Sequence, residues 1–178
     1  ESTLAESTGN SLRLSSPLRF DHLGARDDTG KPEFLPHVGN LTRNVIVRSE
    51  NPSGTRGHTL FTARADVDIR YVLFKDLGRT RNTPLDSTAI ESYGRASRIG
   101  TNQIGRYALH LHHLFGPAAA SGERQFSLIG NAVVDSLKWG ITIHNTHFGL
   151  IKDNVVYNAT GSGIVTEDGS ETANVFDH

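Results

Sequence analysis

Two stretches of this chain superpose without a gap. "FSLIGNAVVDSLKWGITIHN" (Phe126–Asn145) aligns with "GLIKDNVVYNATGSGIVTED" (Gly149–Asp168) at a constant offset of 23 residues. Leu128 falls on Ile151, Asn131 on Asn154, Val133 on Val156, Gly140 on Gly163, Ile141 on Ile164 and His144 on Glu167. A further copy opens at "ANVFDH", where Asn174 follows Asn154 by 20 residues. Upstream, "LTRNVIV" (Leu41–Val47) and "IRYVLFK" (Ile69–Lys75) share an apolar spacing 28 residues apart. Short β-branched runs separated by Gly and Asn turns read as strands. No segment reads as a convincing helix, and "GPAAASGER" (Gly116–Arg124) reads as a loop.

Repeats of this length built from strands alone suit a parallel β-helix, in which coils stack at about 4.8 Å and like residues form ladders. A β-sandwich also recurs in short strands but does not require a gapless repeat. The expected fold is therefore all-β, a parallel β-helix (solenoid) with a single-stranded coil repeat of about 23 residues. Coils of such folds hold two or three short strands. Asn131, Asn154 and Asn174 are expected to form an amide ladder that caps turn backbone from coil to coil.

The 178 residues suffice for one core. A net charge of −1 gives no reason to invoke nucleic acid or an anionic membrane surface. No apolar run reaches the roughly 18–20 residues a membrane span needs, so no direct membrane insertion is expected. The opening "ESTLAESTGN" lacks the basic start and apolar stretch of a signal peptide. Cys is absent, which excludes disulfides and thiolate chemistry. Met is absent too, and the strand pattern runs on to "NVFDH". Residues 1–178 are thus expected to be a β-helix segment of a longer chain, with residues 1–36 as a lead-in.

The stretch "GRYALHLHH" (Gly105–His113) places histidines among leucines. On a strand, Leu109 and Leu111 face one way and His110 and His112 the other. Aligning Ala108 with Gly140 and Gly163 puts Leu109, Ile141 and Ile164 in one inward column, and Leu111, Ile143 and Thr166 in a second. His112, His144 and Glu167 then stack in an outward column, with His110, Thr142 and Val165 beside it and Asp168 next to Asn145. Leu114–Gln125 would bulge between coils. Two imidazoles and a carboxylate one coil apart can share a proton or a divalent ion. His112, His144 and Glu167 are the candidate catalytic residues. His110, His112, His144, His147 and Asp168 are the candidate metal ligands. Nitrogen-rich ligation favours Zn²⁺, and oxygen-rich ligation Ca²⁺. The plainer alternative is a solvated polar face.

The motifs "SSPLRFDHLG", "HVGNLTRNVIVRSE", "GHTLF", "GRYALHLHH", "GITIHNTHFGLIKDNVVYN" and "GSGIVTEDGSETANVFDH" resemble, in order, a β-helix region that follows a G8 domain. That region occurs in cell-migration-inducing hyaluronan-binding, transmembrane protein 2 and fibrocystin-like proteins. The resemblance spans Ser15–His178, with "PLRFDHLG" matching only the tail of a G8 domain. It implies a right-handed coil, an extracellular or cell-surface location, and hyaluronan binding or depolymerisation. It carries over to His110, His112, His144, His147, Glu167 and Asp168. The chain departs from animal members in lacking Cys and in having Leu111 where an aromatic is common.

Two functions follow as expectations. One is cleavage of an anionic polysaccharide such as hyaluronan or another uronate glycan, by metal-assisted hydrolysis or elimination. Arg106, Tyr107 and Trp139 are its candidate substrate-binding residues, through a guanidinium fork and sugar stacking. Arg79, Arg81, Arg95 and Arg98, in the polar stretch Gly78–Gly105, also suit an anionic glycan. Proton abstraction beside a uronate needs a base and a cation, whereas two-carboxyl hydrolysis would rest on Glu167 and Asp168, which as strand neighbours should diverge. The other is a non-catalytic structural or adhesive module, whose uncapped coils invite end-to-end self-association.

Overall fold

The structure, a computed structural model, describes residues 1–116 and 123–178. Residues 117–122, at the centre of the expected Gly116–Arg124 loop and Leu114–Gln125 bulge, lie outside the described residues. Two units are distinguished, Glu1–Gly39 and Asn40–His178.

In the first unit β1 (Leu4–Thr8) and β2 (Ser11–Leu14) form an antiparallel hairpin, tied by an exposed Arg13–Glu6 ion pair. β3 (Ala25–Arg26) pairs antiparallel with β4 (Pro32–Phe34). The turn between them is held by Asp27 Oδ1, which accepts from the backbone N–H groups of Thr29 and Lys31, both at 2.9 Å.

In chain order the second unit carries β5 (Val45–Arg48), β6 (Phe61–Ala63), β7 (Val67–Arg70) and β8 (Val72–Lys75). A short antiparallel pair, β9 (Ala89–Ile90) and β10 (Ala96–Arg98), follows. Then come β11 (Leu109–Leu114), β12 (Phe126–Ile129), β13 (Ala132–Val134) and β14 (Ile141–His144). β15 (Gly149–Lys152), β16 (Val155–Tyr157), β17 (Ile164–Thr166) and β18 (Val175–Asp177) complete the unit. They build three parallel sheets, β6-β11-β14-β17, β7-β12-β15-β18 and β5-β8-β13-β16. The chain visits the three sheets in turn, coil after coil. This is a parallel β-helix.

Each complete coil gives three strands, so the expected single-stranded repeat is corrected to a three-stranded one. The offset of 23 joins Phe126 to Gly149, Ala132 to Val155 and Ile141 to Ile164. Other neighbours differ: Leu109 pairs with Ile141, 32 residues on, and Leu150 with Val175, 25 on. Coil length therefore varies, because hydrogen bonding constrains the strands and leaves the corners free to take insertions. The upstream pair is also offset by 27 rather than 28, since Val45 lies beside Val72.

Inward side chains of the sheets meet in one core, with Leu109, Leu111, Leu128, Val133, Ile141 and Ile143 fully buried. Burying each such aliphatic contributes about 1.5–3 kcal/mol. Phe126 fills the space above Gly149, where a Cβ would lie 1.9 Å from the ring. At one corner Asn131 Oδ1 accepts from Val72 N at 3.0 Å, while its Nδ2 donates to Ile69 O and to Asn154 Oδ1. Asn154 Nδ2 in turn donates to Leu128 O at 2.8 Å. Asn174 does not join this ladder. It caps a different corner, donating to Thr146 O and accepting from Gly149 N. Since β18 pairs with β15, Asn174 lies one corner earlier in its coil than Asn154 does.

Candidate functional site

The sheet β6-β11-β14-β17 carries the histidines on its outer face. Its register pairs His110 with Thr142 and His112 with His144. Ile141 pairs with Ile164, Thr142 with Val165 and Ile143 with Thr166, and Glu167 N donates to Ile143 O at the strand end. His112, His144 and Glu167 therefore stand on three successive coils.

This face is not a solvated one. His110 is 1% exposed and Thr142 is fully buried. The segment before β11 folds over them, bringing the Tyr107 ring to 4.9 Å from the His110 ring. Gly105 O accepts a hydrogen bond from His110 Nδ1 at 3.1 Å. A carbonyl can only accept, so Nδ1 carries the proton and Nε2 presents a lone pair. Burial above all holds His110 neutral, lowering its pKa from 6.5 to about 4.

Glu167 and Asp168 do not diverge as strand neighbours would. β17 ends at Thr166, and both carboxylates converge on His144 from opposite edges of its ring. Glu167 Oε2 lies 3.3 Å from His144 Nδ1, and Asp168 Oδ2 lies 3.0 Å from His144 Nε2. Asp168 also accepts from Asn145 Nδ2 at 3.0 Å. Glu171 steadies this turn by accepting from the backbone N–H of Asn145 and of Asp168. Because Asp168 accepts, Nε2 of His144 carries the proton, and the Nδ1 of a neutral His144 presents a lone pair. That Nδ1 lies 2.9 Å from His112 Nδ1.

Four polar atoms thus converge: His110 Nε2, His112 Nδ1, His144 Nδ1 and Glu167 Oε2. Ligand atoms of the three histidines all lie within 4.8 Å of one another. Glu167 Oε2 is 3.8 Å from His110 Nε2. Among the described residues, His110 Nε2 and Glu167 Oε2 are buried with no hydrogen-bond partner, as is Thr142 Oγ1 on the same face. Two buried acceptors facing each other repel unless a proton or cation lies between them. The His112 pKa is also lowered, by burial first and then by the charges of His144 and His113.

His113 joins through an irregularity. The register of β11 against β6 shifts between His112 and Leu114, and His113 adopts a left-handed φ of 50°. The bulge returns Leu114 to the core and sets the His113 ring 4.4 Å from His112 and 5.0 Å from His144. Two adjacent histidines before a leucine, breaking strict alternation, are its sequence signal.

His147 is not brought to the cluster. Its Nδ1 accepts from Thr172 N at 3.0 Å, tying one coil to the next. Tyr107 is 1% exposed, so its ring offers no face to a sugar. Its hydroxyl instead donates to Glu167 Oε1 at 2.9 Å, and burial followed by this bond raises the Tyr107 pKa. Trp139 is half-buried against Tyr107, ring centroids 4.6 Å apart, with Lys138 Nζ 4.3 Å over its ring. Arg106 lines an open cleft with Ser87, Thr88 and Gln103. Arg98 is engaged by Asp86. His58, not among the residues expected at the site, has its Nδ1 3.1 Å from Arg79 Nη1. A lone His in "GHTLF" carries no spacing signal.

A family described as CEMIP beta-helix matches residues 88–178, just over half of the chain. The chain belongs to the CEMIP beta-helix family. The mouse protein named Fibrocystin-L is 28% identical over 195 residues, covering 96% of this chain and 4% of that protein. Human "Cell surface hyaluronidase CEMIP2" is 25% identical over 169 residues, covering 94% of this chain and 12% of that protein. The mouse "Cell migration-inducing and hyaluronan-binding protein" is 26% identical over 174 residues, covering 96% of this chain and 12% of that protein. The chain thus spans between 4% and 12% of the length of these relatives. No solved structure matches significantly. Among the described residues no helix is long and apolar enough to cross a membrane.

Proposed function

We propose that this CEMIP beta-helix segment binds and cleaves a uronate-containing polysaccharide of the hyaluronan type outside the cell or at its surface. His110, His112, His144 and Glu167 hold a divalent transition metal in this reading. The observation that carries it is the pair of buried, unpartnered acceptors, His110 Nε2 and Glu167 Oε2, beside two further imidazole nitrogens. Tetrahedral Zn²⁺ with bonds of about 2.0–2.1 Å sets its ligand atoms about 3.3 Å apart. The separations of 2.9, 3.3 and 3.8 Å here straddle that value. Three nitrogens and one oxygen favour Zn²⁺ over Ca²⁺.

Such an ion, when bound, supplies Lewis acidity toward a glycan oxygen or a water. The protein's own residues prepare its seat. Tyr107 orients Glu167, Asp168 fixes the His144 tautomer from the far edge, and Gly105 O does the same for His110. Asp168 therefore supports a ligand rather than being one. With Glu167 given to the metal and Asp168 to His144, neither carboxyl of this pair is left free for a two-carboxyl hydrolysis. Names of two relatives, a hyaluronidase and a hyaluronan-binding protein, support the substrate class.

The placing of the cluster's residues on three successive coils favours a second reading, a structural module whose metal ties coils together. Metal content after chelation and hyaluronan depolymerisation by His112→Ala and His144→Ala test both. Loss of metal and of cleavage together is the expected result. Full cleavage by both variants refutes catalysis at this cluster. A metal whose removal melts the protein, with no cleavage at any stage, supports the structural module. An unsaturated uronate end in the products marks elimination, and its absence marks hydrolysis.

A further inference from the structure

Next to the histidine cluster the chain brings together two guanidinium groups, those of Arg79 and Arg106, beside His58. Arg79 is half-buried, and its Nη1 donates to Arg56 O and to His58 Nδ1, both at 3.1 Å. A guanidinium can only donate, so His58 Nδ1 is the acceptor and the neutral ring carries its proton on Nε2. Arg79 N and Thr80 N both donate to Arg106 O, at 2.8 and 3.2 Å, and Gly78 N donates to Gly57 O. Arg79 and Arg106 thus meet at the base of the connection between β8 and β11, with His58 in the preceding coil beside them. The Arg106 guanidinium makes one long bond, 3.4 Å to Ile104 O.

Among the described residues neither Arg79 nor Arg106 has a carboxylate within ion-pair distance. Burial first and then the Arg106 charge lower the Arg79 pKa. The same order of causes, burial and then Arg79 and Arg106, lowers that of His58. Clustered, partly desolvated cations without a counter-charge are unfavourable unless an anion joins them.

The position is specific. Gly105 O holds His110 and the Tyr107 hydroxyl holds Glu167, so Arg106 stands between the two supports of the cluster. Its side chain reaches the cleft that Ser87, Thr88 and Gln103 line.

Resting on the glycan reading above, we propose that Arg79 and Arg106, with His58 Nε2–H, form a carboxylate subsite that takes the uronate carboxylate of an acidic glycan lying against the histidine cluster. A planar guanidinium fork matches a planar carboxylate. The subsite holds the sugar by its charge and leaves the histidines to act on the neighbouring linkage.

Calorimetric titration with a hyaluronan hexasaccharide and its carboxyl-reduced counterpart tests this. A hydrogen bond to a charged group contributes about 1.5–3 kcal/mol, so the native hexasaccharide should bind about tenfold to hundredfold more tightly than the reduced one. Arg106→Gln and Arg79→Gln should each remove most of that difference while leaving Zn²⁺ affinity unchanged. Equal binding of both hexasaccharides by the unmodified chain overturns the subsite and leaves the glycan reading standing. Discrimination that survives in both folded variants overturns it too. Binding of neither hexasaccharide overturns the subsite and the glycan reading together.

Discussion

Replacing Tyr107 by Phe should weaken metal binding without disturbing the fold. The ring is packed between His110 and Trp139, at centroid distances of 4.9 and 4.6 Å, and Phe keeps both contacts. What is lost is the donor to Glu167 Oε1 at 2.9 Å. A hydrogen bond to an ionised group contributes about 1.5–3 kcal/mol. Independently, removing a group that orients a metal ligand costs about 10–100-fold in affinity. The two figures agree, since each factor of ten is about 1.4 kcal/mol. Zn²⁺ titration of chelated protein against a chromophoric competitor should therefore show Kd rising about 10–100-fold for Tyr107→Phe. Unchanged Zn²⁺ affinity in Tyr107→Phe, alongside its loss in Glu167→Gln, would refute the reasoning that the hydroxyl aims this carboxylate.

Two further outcomes follow from the structure. In chelated protein, stability should decline as pH falls from about 6.5 toward 4, because the unfolded chain takes up a proton that buried His110 refuses until about 4. His110 then contributes nothing to pH dependence above 6.5, and about 3 kcal/mol is lost across that window. Urea unfolding at stepped pH, with a His110→Asn control in which this slope is reduced, checks it. Asn131→Ala should cost about 3 kcal/mol, from three hydrogen bonds of about 1 kcal/mol each, read as a lower urea midpoint.

Much of this arrangement was legible because strand register propagates. Once Ile141 is set beside Ile164, side-chain alternation determines that His144 neighbours the Glu167 end, and the same rule sets His112 beside His144. Elements that depend on corners were less legible. Asn174 repeats the type and rough spacing of Asn154, yet the coil between them carries its extra residues at a different corner. The burial of His110 could not be read from alternation, which reports only which side of the sheet a residue faces. What covers that side is the segment before β11, placed by contacts such as Gly105 O with His110. Tyr107 followed the same pattern: its ring type suggested sugar stacking, and its burial turned the hydroxyl into a support for Glu167. Strand geometry would part Glu167 and Asp168, but β17 ends at Thr166 and neither residue lies on it.

The cluster draws its members from β11, from β14 and from the residues just after β17, separate rungs of one winding. Anything seated among them acts as a rivet through three layers. An incompletely wound chain has no place for it, so the seat forms only after the third rung has docked. Occupancy would then favour the fully wound state by RT ln(1 + [L]/Kd), most strongly where a slip of one residue would otherwise scatter the histidines.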